Sequence, residues 1–215
     1  MIRSDVGLEI SAAILAGGRA RRLGGADKAA LLVGDARIID RQLDALAGLT
    51  DDVRIVANDR TRYADLRLPV VADAIPEAGA LGGIYTALIH ARHERVIVLA
   101  CDLPFVTGAL LARLELESRA EEIDAVVPRT ARGLEPLCAV YRKRCAGALR
   151  ARIDRGALQV AAALNDVRVQ ELGAAVLAQY DDGSLFENIN TPHDYARARD
   201  RVALNEKPFE DRITE

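Results

Sequence analysis

The chain has no tryptophan, and only 4% of its 215 residues are aromatic. That scarcity argues against the aromatic stacking platforms that hold single-stranded nucleic acid. The net charge is −3, and no long block of lysine or arginine occurs. A basic footprint for nucleic acid or an anionic membrane is therefore not expected. Cysteine is sparse: Cys101, Cys138 and Cys145, an odd number with no C-x-x-C pair. This argues against a zinc site or disulfide framework and for reduced thiols in a cytoplasmic protein. No run of about 18 apolar residues is present, so no membrane span is expected. Residues 1–10 carry Arg3, Asp5 and Glu9 and lack the apolar stretch of a signal peptide.

Half of the residues are hydrophobic, enough for a sizeable core without a structural metal. Length and the lack of any linker or repeat point to a single domain over residues 1–215, with a core over about 10–203 and a charged, frayed C-terminal tail. Strands are predicted at 10–15, 53–57, 70–72, 96–100, 125–128, 137–141 and 167–172. Helices are predicted at 38–49, 84–90, 108–119, 144–152, 156–164 and after Thr191-Pro192, where Thr191 serves as N-cap and Pro192 as first helical residue. Residues 79–83 read as a glycine-rich turn before a helix. Alternating strands and helices give a Rossmann-like α/β fold, a mostly parallel sheet with helices on both faces. Ligands in such sheets bind beyond the carboxyl ends of the strands. The loop after residue 15, Asp73 and Asp102 all fall at such ends.

The segment 15–28, Leu15-Ala16-Gly17-Gly18-Arg19-Ala20-Arg21-Arg22-Leu23-Gly24-Gly25-Ala26-Asp27-Lys28, is the most informative. Glycines let a ligand approach the backbone closely. Exposed N–H groups in such a turn form an anion-binding concavity, to which Arg22 and Lys28 add charge. A plain surface loop with solvated arginines is the competing reading; glycines, cations and a preceding buried strand together favour phosphate binding. The segment is neither a P-loop nor a G-x-G-x-x-G fingerprint, because neither spacing is met. Asp102 follows the apolar strand at 96–100, where a carboxylate suits magnesium bound with substrate phosphates; otherwise it is a turn aspartate before Pro104. Asp73 carries the same alternatives. Asn188 and Asn190 also suit simple Asx turns. His90 and His93 lack a third ligand of matching spacing.

Taken together, these segments resemble the molybdenum cofactor guanylyltransferases. Leu15-Ala16-Gly17-Gly18 with Gly24-Gly25-Ala26-Asp27-Lys28 is similar to that family's opening signature. Gly79-Ala80-Leu81-Gly82-Gly83-Ile84 resembles its glycine segment, Cys101-Asp102-Leu103-Pro104-Phe105 its metal-binding strand end, and Asn188-Ile189-Asn190-Thr191-Pro192 its C-terminal motif. The resemblance runs from about residue 10 to about residue 198. It implies a magnesium-dependent enzyme that transfers GMP from GTP to molybdopterin-bound molybdenum, giving the guanine dinucleotide cofactor and pyrophosphate. It further implies Arg22, Lys28 and Asp102 as catalytic, Asp102 as the Mg²⁺ ligand, and Leu15, Ala16, Gly17, Gly18, Gly25, Lys28, Asp73, Gly79 and Asp102 around the nucleotide. Asn188 and Asn190 would lie on the acceptor or phosphate side. Transient contact with cofactor-biosynthesis or acceptor proteins would follow. The chain departs from the family near Gly156, where Gly156-Ala157-Leu158-Gln159-Val160 lacks an arginine that relatives often carry for the pterin. Related readings are a cytidylyltransferase for the same cofactor, a sugar-phosphate nucleotidyltransferase, or a nucleotide-binding regulatory module without turnover.

Overall fold

The computed structural model describes residues 9–17, 27–180 and 183–206. Strand β1 (Ile10–Leu15) is followed by a 3-10 turn at Lys28–Ala30 and a small hairpin, β2 (Leu32–Val33) and β3 (Ala36–Arg37). Then come α1 (Ile38–Leu46), β4 (Asp52–Val56), a 3-10 segment at Arg60–Leu66 and β5 (Val70–Val71). Helix α2 (Gly79–His90) leads to β6 (Arg95–Ala100), α3 (Gly108–Glu117), β7 (Ala125–Thr130), β8 (Gly133–Leu134) and β9 (Cys138–Arg142). The chain continues through α4 (Ala146–Asp154), α5 (Val160–Ala163), β10 (Val169–Leu172) and α6 (Ala174–Leu177) to α7 (Pro192–Glu206).

The main sheet runs β10-β7-β9-β6-β1-β4-β5, with β8 joined to β7. β1 pairs in parallel with β4 and β6, β4 with β5, and β7 with β10. β9 is inserted antiparallel between β6 and β7. The apolar runs of β1 and β6 are buried on both sides, as a covered parallel sheet requires. Side chains alternate: Ala12, Ile14, Ile97 and Leu99 face one core together with Leu46 of α1 and Leu110 of α3. Ala13, Val96, Val98 and Tyr141 face the other with Ile84 of α2 and Leu149 of α4. A third cluster seats α7, through Ala198 and Val202, on Val33 of the hairpin and Ile38 of α1.

Thr191 and Pro192 start α7 as the sequence indicates. The Thr191 hydroxyl accepts from Asp194 N at 3.1 Å and Asp194 Oδ2 accepts from Thr191 N at 2.9 Å, a reciprocal box. Residues 79–83 depart from expectation: they form the first turns of α2 rather than a turn ahead of it. Gly79 has φ +59°, a left-handed opening that glycine adopts without penalty. Gly82 and Gly83 serve close packing inside the helix. A Cβ on Gly82 would lie 2.5 Å from Ala78 Cβ, and one on Gly83 3.2 Å from Leu15 Cδ1. The helix expected over 156–164 shortens to α5, Val160–Ala163. The C-terminal tail beyond residue 206 lies outside the described residues. No helix among the described residues is long and apolar enough to cross a membrane.

Candidate active site

The parallel strands β1, β4, β5 and β6 bring their carboxyl ends to one edge. Past β1, Ala16 donates its amide to Val56 O at 2.9 Å, and Cys101 N donates to Leu15 O at 3.2 Å. These bonds carry the sheet ladder one residue further and fix where Asp102 leaves β6. On the far side of the Asp102 peptide, Ile189 N donates to Asp102 O at 3.0 Å. The backbone that brings Asn190 in is thus bonded to the residue it serves.

Lys28 enters from the 3-10 turn. Asp27 caps this turn by accepting from Ala29 N at 3.1 Å, and its other oxygen accepts from the Tyr63 hydroxyl at 2.9 Å. Tyr63 is only 3% exposed, so this latch is shielded from water. The ammonium of Lys28 lies 3.0 Å from Asp102 Oδ2 and also donates to Asn190 Oδ1. The two charged side chains are 15% and 18% exposed, so water screens the pair only in part. Residues 28, 102 and 190, far apart in the chain, meet at one point.

A cavity of about 240 Å³ opens beside them, lined among others by Leu15, Gly17, Lys28, Asp73, Gly79 and Asp102. Six of the residues singled out from the sequence therefore share one wall. Asp73 is held by Asn58: Asn58 Nδ2 donates to Asp73 Oδ2 at 2.9 Å and Asp73 N donates to Asn58 Oδ1 at 3.0 Å. A side chain on Gly17 would come within 3.5 Å of that same Oδ2. Cys101 also lines the cavity. Burial, and then the neighbouring Asp102 charge, push its thiol up to about 12. It stays a neutral thiol at physiological pH and does not serve as a nucleophile.

Other residues fall elsewhere. Ala16 packs against the core under α1 and α3 and is absent from the cavity wall. Asn188 is exposed and borders a separate pocket of about 80 Å³ with Arg132 and Arg197. Gly18, Arg22 and Gly25 lie outside the described residues. His93 sits 3.2 Å from Asp51 Oδ1 at the opposite, amino end of the sheet. A larger groove of about 740 Å³ opens at that end. Its cations are already used: Arg95 pairs with Glu115 at 2.5 Å, and Arg142 donates to the carbonyls of Ile123, Ser118 and Ala120. It is a cross-linked surface and lies away from every strand end that carries the site.

Sequence comparison decides the family. Residues 12–169 match the MobA-like NTP transferase domain. The chain belongs to the MobA-like NTP transferase family. It is 35% identical over 190 residues to a molybdenum cofactor guanylyltransferase of Desulfosudis oleivorans, covering 88% of this chain and 94% of that one. It is 37% identical over 193 residues to a probable molybdenum cofactor guanylyltransferase of Pelotomaculum thermopropionicum, with 89% and 93% covered. Among solved structures it resembles the molybdopterin-guanine dinucleotide biosynthesis protein A of Archaeoglobus fulgidus. The TM-score is 0.78 at 27% identity, over 90% of this chain and 99% of that one. As a member of the MobA-like family, the chain is a nucleotidyltransferase.

The family implies a divalent metal, and the donor set fits one. Among the described residues no three His, Cys, Asp or Glu side chains gather into a metal cage. Magnesium taken up with a triphosphate needs none, because one or two carboxylates suffice and phosphates and water supply the rest. Asp102 offers a hard carboxylate oxygen at the cavity wall, and the amide oxygen of Asn190 is beside it. Sequence reading missed three supports of this MobA-like site: Tyr63, Asn58 and Gln42. Only Gln42 leaves a local signal, a polar residue on the apolar stripe of α1.

Proposed function

We propose that this protein transfers GMP from GTP to molybdopterin-bound molybdenum, with Mg²⁺, giving the guanine dinucleotide cofactor and pyrophosphate. The observation that supports this most is the meeting of Lys28, Asp102 and Asn190 beside the cavity at the carboxyl ends of β1 and β6. A terminal phosphate oxygen of the acceptor attacks the α-phosphorus of GTP. The bond from that phosphorus to the bridging oxygen breaks, and pyrophosphate carries the electron pair away. Positioning and charge stabilisation dominate such transfers. Asp102 would hold the magnesium ion, which when bound neutralises phosphate charge. Lys28 would donate to phosphate oxygens as negative charge builds on them, and Arg22 would add a second cation. In this reading the backbone of Leu15, Ala16, Gly17 and Gly18 would face the base, with Gly25, Asp73 and Gly79 on the nucleotide side; Leu15, Gly17, Asp73 and Gly79 line the cavity. Asn190 would serve the acceptor or phosphate side; Asn188, assigned the same role by the resemblance, borders the separate pocket. This reading has the enzyme in the cytoplasm, in transient contact with proteins that supply or receive the cofactor.

Base choice tests it. A buried guanine leaves several donors and acceptors to be matched, and each one unmatched costs about 1–3 kcal/mol. The Ala16 amide and Leu15 carbonyl are already bonded within the sheet, so the main-chain groups that follow them would have to match a purine and would leave a pyrimidine short of partners. Purified protein given molybdopterin, magnesium and either GTP or CTP should form the guanine product at least about tenfold faster, as read by mass spectrometry. Equal or faster use of CTP would overturn the guanylyl assignment in favour of a cytidylyltransferase.

A further inference from the structure

The buried face of α1 consists of Ile38, Ile39, Gln42 and Leu46. Packing alone asks for an aliphatic residue at the third of these positions. Gln42 is wholly enclosed, with 0% exposure. Its Nε2 donates to Ala100 O at 2.7 Å and to Leu103 O at 3.2 Å. These two carbonyls bracket Cys101 and Asp102. Its Oε1 is buried and has no hydrogen-bond partner among the described residues. Burying an acceptor unpaired is unfavourable, so stability alone is a poor reason to keep an amide here. Both donated bonds fall instead on the one turn that carries the acidic group of the site.

We infer that Gln42 is a positioning residue that clamps the Asp102 turn from beneath, so that the carboxylate meets the bound triphosphate in a single orientation. Four hydrogen bonds then fix this turn. Gln42 holds its two ends, Cys101 N ties it to Leu15 O, and Ile189 N ties the Asp102 carbonyl to the segment bearing Asn190. Without the amide donor, the Ala100 and Leu103 carbonyls lose a shared partner. The bonds from Cys101 N and Ile189 N remain, but the turn is then held on fewer sides, and the carboxylate shifts relative to Lys28. The inference rests on the proposed role of Asp102 in holding the metal-bound nucleotide.

Gln42→Met keeps the side-chain length and removes the donor. GTP affinity should be measured by calorimetry in excess magnesium chloride for wild type, Gln42→Met, Asp102→Asn and the double variant. Gln42→Met should bind GTP about tenfold more weakly, with a melting temperature within about 4 °C of wild type. The double variant should bind no more weakly than Asp102→Asn alone, because the clamp then has no carboxylate to place. Wild-type affinity in Gln42→Met, or losses that simply multiply in the double variant, would overturn the inference. Should Gln42→Met not fold, Gln42→Leu carries the same comparison. A wild-type protein that fails to bind GTP would instead overturn the functional reading beneath it.

Discussion

An ammonium group has three donors, and Lys28 spends donors on Asp102 and Asn190. Its place in the site is therefore defined before any substrate arrives. A triphosphate that enters the cavity competes for this ammonium with a carboxylate 3.0 Å away. A charge-assisted contact of this kind contributes about 1.5–3 kcal/mol. Lys28→Ala should lower kcat/KM for GTP by about tenfold or more, with a melting curve run beside it because the substitution also leaves Asp102 without its cation. A kcat/KM equal to wild type would place Lys28 outside the reaction. Arginine is a poor replacement, since its planar fork does not reproduce a compact point charge. Lys28 and Asp102 were both legible in the sequence, one after a glycine-bounded loop and the other at the end of an apolar run. Their contact was not legible, because nothing local couples residues 74 positions apart.

At the scale of elements, α2 shows how glycine misleads. Glycine in a helix interior normally costs about 1 kcal/mol relative to alanine, so residues 79–83 read as a turn. The helix forms there because its start must lie close against β1 and against Ala78. Gly82→Ala gains propensity and meets Ala78 Cβ at 2.5 Å, an overlap that outweighs the gain. We expect a net destabilisation of about 1–3 kcal/mol, read from denaturant unfolding; a raised midpoint at unchanged slope would contradict the packing argument. Strands β1 and β6 were legible because continuous apolar runs have few other fates. The hairpin of β2 and β3 escaped notice because two-residue strands carry no periodicity. The reversed direction of β9 escaped as well, since an apolar run has no arrow. Tyr63 and Gln42 act on residues 36 to 61 positions away, beyond the reach of any sequence window.

The whole molecule should be sensitive to acid through Asp124. Its carboxylate accepts from Arg168 Nε at 3.0 Å, Arg168 N at 2.8 Å and the Arg144 guanidinium, linking β7, β10 and the approach to α4. The Arg168 side chain, foremost among these, holds the carboxyl well below the usual carboxylate range. A carboxyl that ionises more readily when folded contributes stability above the ordinary pKa of about 4. That contribution is lost as pH falls below it. Asp124→Asn should cost about 2 kcal/mol at pH 7 and flatten the decline in stability between about pH 5 and pH 2. A variant whose acid limb parallels that of wild type would rule out this role. The position of β9 bears on how the protein is made. Among the described strands, β7 is linked to β6 and the strands beyond it only through β9, and its other large neighbour is β10, so while a ribosome is still extending the chain, β7 waits first for β9 and then for β10. The wait for the site is longer. Asn190 follows its partner Lys28 by 162 positions. Until the ribosome releases residue 190, a nascent chain lacks one of the three groups that meet in the site.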